Sequence, residues 1–210
     1  MAETDQLKFW RGAFGDAYTD RCAVSADAVR GRLGVWAEMF KVMAGAPPAS
    51  VLEVGCNEGI NLHALSALTG ARLAAVEPNA AARERVKASG VAAAGDIVDG
   101  SAQALPFEDG AFDLVFTTGV LIHIHPDDLG AAVDEICRVS RRWVVCGEYF
   151  SPRPEALEYR GETGYLFKRD FGKFYLDRHP ELVCRGYGFA WSKDTSFDDI
   201  TWQVFEKPQG

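Results

Sequence analysis

Several things are scarce in this 210-residue sequence, and each scarcity narrows what it can do. Basic side chains are outnumbered, 22 Lys plus Arg against 30 Asp plus Glu, giving a formal charge of -8 and a pI near 5.0. A general nucleic-acid binder needs a basic stripe to neutralise phosphates, so that class is not expected. Long apolar runs are missing as well: none reaches the ~20 residues of a membrane span, and no membrane partner is expected. The start Met1-Ala2-Glu3-Thr4-Asp5 lacks the basic-then-apolar pattern of a secretion signal. The five cysteines are odd in number, widely spaced and free of any C-x-x-C pair. They read as reduced thiols of a cytoplasmic protein, mostly buried as small apolar side chains. No internal period and no low-complexity tract beyond alanine-rich stretches is present.

What is there is enough for a core. At this length one domain buries roughly 70% of its unfolded surface, so residues 1–210 are expected to form a single domain without disulfide or metal staples. The first 46 residues read as helical. Ser25-Ala26-Asp27-Ala28 supplies a cap, Val29, Leu33, Trp36, Phe40 and Met43 recur at helical spacing, and Gly45 with Pro47-Pro48 ends the run. The chain then alternates. Apolar runs at Ser50–Val54, Arg72–Val76, 112–117 and 143–149 read as strands; Ile60–Leu68, 79–88 and 127–139 read as helices. Such alternation implies βαβ units on a parallel sheet. Near the end, 182–190 and 201–206 read as two strands with no helix between, an antiparallel hairpin at the sheet edge joined by the polar stretch 192–199. The fold expected is three-layer α/β with helical N-terminal decoration.

The first strand runs into Glu53-Val54-Gly55-Cys56-Asn57-Glu58-Gly59, a turn that lets a ligand approach the backbone over a helix N-terminus. A P-loop would need G-x-x-x-x-G-K-[ST], and Ile60 stands where its second glycine belongs. A dinucleotide fingerprint would need glycine where Asn57 and Ile60 stand. The pattern E-x-G-x-x-x-G that remains is that of S-adenosylmethionine-dependent methyltransferases. Glu77 closes the second strand 22 positions after Gly55, where a carboxylate accepts both hydroxyls of a ribose. Asn57 replaces a usual glycine but tolerates left-handed backbone. After the third strand, Ser101 is the expected acceptor for an adenine amine and Ala102 the backbone donor, with Asp96 as the alternative acceptor.

Together these motifs resemble the class I S-adenosylmethionine-dependent methyltransferases. The resemblance implies a Rossmann-like, seven-stranded, mostly parallel sheet with a C-terminal antiparallel hairpin. It also implies S-adenosylmethionine as cofactor and S-adenosylhomocysteine as product. Over nearly the whole chain the sequence is similar to the methylases associated with pseudaminic acid biosynthesis. That likeness rests on residues 9–21 and 52–62, Gly119-Val120-Leu121-Ile122-His123-Ile124, residues 146–152, Tyr159-Arg160-Gly161, residues 167–172 and residues 201–207. It implies a nine-carbon acidic sugar, or its nucleotide conjugate, as methyl acceptor. Cofactor contacts are then expected at Glu53, Gly55, Cys56, Asn57, Gly59, Glu77, Pro78, Ser101, Ala102, Thr118 and Gly119. Tyr18 is expected at the methionine carboxylate, with Arg21 as its ion partner.

Methyl transfer from a sulfonium leaves the protein to align the acceptor, exclude water and, for a hydroxyl, accept a proton. His123, just past the fourth strand, suits a general base or a histidine bonded within its own loop. Glu148, ending the fifth strand, is the second base candidate. His123 and His125 form an H-x-H pair without a third ligand, and no metal is expected. Residues 150–180 exceed a simple connection and interleave cations with aromatics; Tyr159, Arg160, Lys168 and Arg169 there are expected to hold an anionic acceptor, against an alternative of surface ion pairs. Other classes stay open: a cofactor-binding module without turnover, a methyltransferase of another small metabolite at oxygen or nitrogen, and an NAD-dependent oxidoreductase, which would bind NAD in preference to the methyl donor.

Overall fold

The structure is a computed structural model describing residues 4–209. A seven-stranded sheet runs through it in the order β3-β2-β1-β4-β5-β9-β8. Strands β1 (Ser50–Val54), β2 (Arg72–Val76), β3 (Ile97–Val98), β4 (Phe112–Thr118) and β5 (Ser140–Glu148) are parallel. β9 (Ile200–Glu206) is antiparallel to both β5 and β8 (Val183–Ala190) and lies between them. The C-terminal hairpin expected from the sequence is therefore present, with its second strand inserted inward.

The inner strands read as unbroken apolar runs because both faces are covered. Alternate residues divide between two cores. Val51, Leu73, Leu114 and Phe116 meet Trp36 and Met39 of α3 (Ala26–Val42) and Leu62 and Leu65 of α4 (Ile60–Leu68). Leu52, Ala74, Val115 and Val144 meet Val133 and Ile136 of α6 (Pro126–Val139) and Tyr175 of α7 (Phe171–Arg178). α5 (Ala80–Ser89) starts one residue later than its sequence pattern, because Asn79 serves as N-cap and accepts from the Ala82 N–H. The order of the sheet reverses between β1 and β4, so a crevice opens beyond their carboxyl ends.

Two regions are richer than their sequence suggested. The N-terminal part is three helices: α1 (Asp5–Arg11), α2 (Ala13–Thr19) and α3, with Ser25 capping the third as expected. α2 presses so closely on its surroundings that a Cβ at Gly15 would stand 1.8 Å from the Trp10 carbonyl oxygen. The 150–180 segment holds a separate two-stranded hairpin, β6 (Glu155–Tyr159) and β7 (Glu162–Lys168), followed by α7. Its two-residue turn, Arg160-Gly161, has φ of +54° and +87°, the geometry usually signalled by Asn-Gly. Arg160 in the first place conceals that signal.

All five cysteines are free; Cys56, Cys137 and Cys146 are buried, Cys22 is partly exposed and Cys184 is exposed. Among the described residues no helix is long and apolar enough to cross a membrane.

Candidate active site

A cavity of ≈ 200 Å³ occupies the crevice at the carboxyl ends of β1, β2 and β4, roofed by α1 and α2. Its floor is the loop after β1. Gly55 has φ +78°, and a Cβ there would also meet Val120 Cγ2 at 2.6 Å. Asn57 takes φ +46° in place of a glycine, and its side-chain oxygen lies 2.9 Å from the Thr19 hydroxyl, tying the loop to α2. Cys56 lines the cavity beside them. Gly59, φ +74°, is the left-handed N-cap of α4 and stands outside the cavity lining, so its part is to turn the chain into the helix.

At one end the cavity suits a nucleoside. The buried Glu77 carboxylate accepts from the Asn57 N–H and the Asn79 N–H, each at 2.8 Å, while burial raises its pKa. Pro78, Ser101, Ala102 and Gln103 complete this end. Asp96, the alternative adenine acceptor, is paired with Arg72 and does not line the cavity. α1 is held over this end through Asp99, which pairs with Arg11 at 2.9 Å and Arg83 at 2.8 Å.

The opposite end contains two buried ionisable groups, Glu53 and Arg32. Asn61 is fully engaged: its amide donates to Glu53 Oε1 (2.7 Å) and Thr118 Oγ1 (2.8 Å), and its oxygen accepts from Arg32 Nη1 (3.1 Å) and Trp36 Nε1 (3.2 Å). Glu53 Oε2 and Arg32 Nε are left buried without a hydrogen-bond partner, the Arg32 guanidinium lying 4.0 Å from the Phe197 ring centroid. Burial pushes the Glu53 carboxyl up to about 8 and lowers the Arg32 guanidinium. Unsatisfied buried polar atoms carry a desolvation cost of roughly 1–3 kcal/mol each, more when charged, which a ligand of matching charge removes. A carboxylate acceptor and a guanidinium donor on one wall match the ammonium and carboxylate of an α-amino acid.

Arg32 was not evident from the sequence, because it lies on the polar side of a helix read for its apolar stripe. Arg21, expected in this role, is exposed, stands 5.9 Å from the Tyr18 ring centroid and is absent from the cavity wall. Tyr18 does line the cavity.

Beyond β4, Thr118, Gly119, Val120 and His123 border the cavity. His123 Nδ1 lies 2.7 Å from the Tyr165 carbonyl oxygen, which only accepts. Nδ1 therefore carries the proton and Nε2 keeps its lone pair. Burial lowers the imidazole to about 4, so it is neutral near pH 7. Trp10 and Tyr159 flank the ring at centroid distances of 4.8 and 4.9 Å.

The expectation of a second base at Glu148 does not match its placement. Its carboxyl is buried outside the cavity lining and accepts from the N–H groups of Val120 (3.2 Å), Leu121 (3.1 Å) and Ile122 (3.4 Å). Burial pushes it up to about 7 against the pull of those bonds. It anchors the one-turn helix Leu121–His123 that presents the histidine.

The cations expected to bind the acceptor also lie off the cavity wall. Arg160, at the hairpin tip, is over the Tyr159 ring (5.7 Å), Lys168 over Tyr149 (5.1 Å) and Arg169 over Phe174 (4.3 Å). Tyr159 reaches the site through His123, not through the cavity lining. His125 accepts from the Asp127 N–H and caps α6. Among the described residues no group of three or more His, Cys, Asp or Glu could hold a metal ion.

Comparison with known proteins accords with this geometry. Residues 52–143 match the family described as "Methyltransferase domain". A protein of Mycobacterium leprae (strain Br4923), described as an uncharacterized methyltransferase, is 29% identical over 185 residues, 86% of this chain. The chain spans 66% of the length of that curated relative. Among solved structures, the 1,6-didemethyltoxoflavin-N1-methyltransferase of Burkholderia thailandensis, with bound 1,6-didemethyltoxoflavin and S-adenosylhomocysteine, superposes with TM-score 0.70 at 16% identity. That match covers 100% of this chain and 92% of the other. The magnesium protoporphyrin IX methyltransferase of Synechocystis PCC 6803, with bound SAM, gives TM-score 0.66 at 14% identity, covering 99% and 100%. Residues 52–143 thus match a methyltransferase domain, and the chain has the Rossmann-like fold of the class I methyltransferases.

Proposed function

We propose that the whole protein transfers a methyl group from S-adenosylmethionine to a hydroxyl of a small polar acceptor, an acidic sugar or its nucleotide conjugate. The observation that carries the cofactor part is the pair of unpartnered buried atoms, Glu53 Oε2 and Arg32 Nε, on the wall of a cavity whose far end presents Glu77. When bound, S-adenosylmethionine supplies a methyl group already activated on sulfur, so the chain's own residues have only to bind, orient and manage a proton. Glu53 and Arg32 hold the amino-acid end, and Glu77 holds the ribose. Trp10, Tyr18 and the N-terminal helices cover the site and exclude water. His123, neutral near pH 7, offers Nε2 to the acceptor O–H and takes its proton as the new C–O bond forms. The acidic-sugar acceptor is supported by the resemblance along the whole chain and by the cations of the β6–β7 hairpin.

A turnover assay tests this reading. The protein is incubated with isotope-labelled methyl donor and a panel of free and nucleotide-activated acidic sugars, and products are read by mass spectrometry. A singly methylated sugar with stoichiometric S-adenosylhomocysteine is expected. Binding of S-adenosylhomocysteine without turnover of any acceptor would favour a cofactor-binding module.

A further inference from the structure

Glu53 and Arg32 share a neutral neighbour. Asn61 stands in the first turn of α4, 4% exposed, and residues of three other elements converge on its amide. Glu53 comes from β1, Arg32 and Trp36 from α3, and Thr118 from the end of β4. An indole and a guanidinium only donate, so the amide oxygen has to face Trp36 (3.2 Å) and Arg32 (3.1 Å). The NH2 is thereby turned to Glu53 Oε1 (2.7 Å) and Thr118 Oγ1 (2.8 Å). The opposite orientation would set donor against donor. Trp36 is itself fixed, being fully buried and meeting Phe116 edge-on at 4.5 Å. Arg32 is also held by the Phe197 ring at 4.0 Å and by the Ser196 carbonyl oxygen at 3.4 Å. A carboxyl and a guanidinium thus bond to the two ends of one amide, and among the described residues no ion pair joins them directly.

We infer that Asn61 is a positioning residue that holds Glu53 and Arg32 apart, so that each keeps an atom free for the ligand. This rests on the reading of the cavity as an S-adenosylmethionine site. Opposite charges buried so near one another attract strongly, because little water screens them. Without a spacer they would close into an ion pair, since a guanidinium fork matches both oxygens of a carboxylate. Oε2 and Nε would then satisfy each other, and the ammonium and carboxylate of a ligand would have to break the pair. The Asn61 amide prevents that closure by giving each group one hydrogen bond and filling the space between them. It also selects which atoms remain. Glu53 Oε1 and Arg32 Nη1 are engaged by Asn61, which leaves Oε2 and Nε. Being neutral, the amide brings no charge of its own to compete with the ligand.

The test titrates the wild type, Asn61→Ala, Arg32→Met and the double variant with S-adenosylhomocysteine and with 5′-methylthioadenosine, which has no amino-acid part. Asn61→Ala opens the space for the ion pair. It is expected to weaken S-adenosylhomocysteine by about tenfold and to leave methylthioadenosine at its wild-type affinity. A carboxyl already paired with Arg32 is already ionised, so proton release on binding at pH 7 should fall towards zero in this variant. Removing Arg32 leaves nothing to close on Glu53, so the double variant should bind S-adenosylhomocysteine within about twofold of Arg32→Met alone. Asn61→Asp keeps the shape of the side chain and serves if the alanine variant does not fold. By pairing with Arg32 and repelling Glu53 it should weaken S-adenosylhomocysteine by a similar factor and spare methylthioadenosine. Equal weakening of both compounds, or additive losses in the double variant, overturns the inference and makes Asn61 a merely structural residue. Unchanged proton release by Asn61→Ala overturns it as well. Failure of the wild type to bind S-adenosylhomocysteine overturns the cofactor reading, and the inference with it.

Discussion

Replacing Glu53 by Gln should uncouple cofactor binding from pH. In the free protein, burial pushes the Glu53 carboxyl up to about 8, against the opposing pull of the Asn61 amide and Arg32. At pH 7 roughly nine in ten of these carboxyls carry a proton. Facing an ammonium the group ionises, so binding releases about 0.9 proton at pH 7. Affinity then rises with pH and levels off near 8, where an α-amino group, pKa about 7.7–8.0, begins to lose its own charge. Gln cannot ionise. Its variant should release no proton and bind about tenfold more weakly at pH 8, the difference between a charged and a neutral hydrogen bond. Stability of the ligand-free protein should follow the opposite course. The contribution of a carboxyl raised from 4.5 to about 8 is full below the lower value and is lost as pH rises through the upper one. The assay is calorimetric titration of S-adenosylhomocysteine in buffers of different ionisation enthalpy, from pH 6 to 8.5. Identical heats in all buffers for the wild type, or equal proton release by Glu53→Gln, would refute the reasoning.

Three further outcomes are expected. Gly55→Ala forces a Cβ to 2.6 Å from Val120 at a left-handed position, so S-adenosylhomocysteine affinity should fall at least tenfold, and the protein should lose about 1–2 kcal/mol in urea denaturation. His123→Asn should lower kcat with an identified acceptor and leave cofactor affinity unchanged; because the imidazole titrates near 4, the wild-type rate should show no His123 ionisation between pH 5.5 and 8. Arg32→Met should weaken S-adenosylhomocysteine by about a hundredfold, whereas Arg21→Met should match the wild type in the same titration, since only Arg32 is on the cavity wall.

The sheet was legible because its inner strands are buried on both faces and its helices keep an apolar stripe; Val51 to Val54 and Leu129 to Val139 show it plainly. The nucleoside end was legible for a different reason. A carboxylate at Glu77 and a left-handed turn at Gly55 depend on backbone position, which spacing encodes. The methionine end was not, because Arg32 reaches Glu53 only through the packing of α3 on α4 and through Asn61, a contact between residues far apart in the chain. The hairpin of residues 155–168 escaped for want of burial: most of β6 is exposed, so no alternation marks it. Glu148 was misjudged since strand-end position alone does not tell whether a carboxylate opens on the cavity or on the N–H groups of a neighbouring turn.

The most direct test of the amino-acid cradle compares S-adenosylhomocysteine with 5′-methylthioadenosine, which keeps the nucleoside and lacks the ammonium and carboxylate. Calorimetry with the wild-type protein is expected to show binding of S-adenosylhomocysteine, with methylthioadenosine weaker by about a hundredfold. Arg32→Met and Glu53→Gln should narrow that gap by lowering only the S-adenosylhomocysteine affinity. Equal affinity of the two compounds for the wild type would contradict the assignment of Glu53 and Arg32. Absence of binding by both would contradict the cofactor site as a whole.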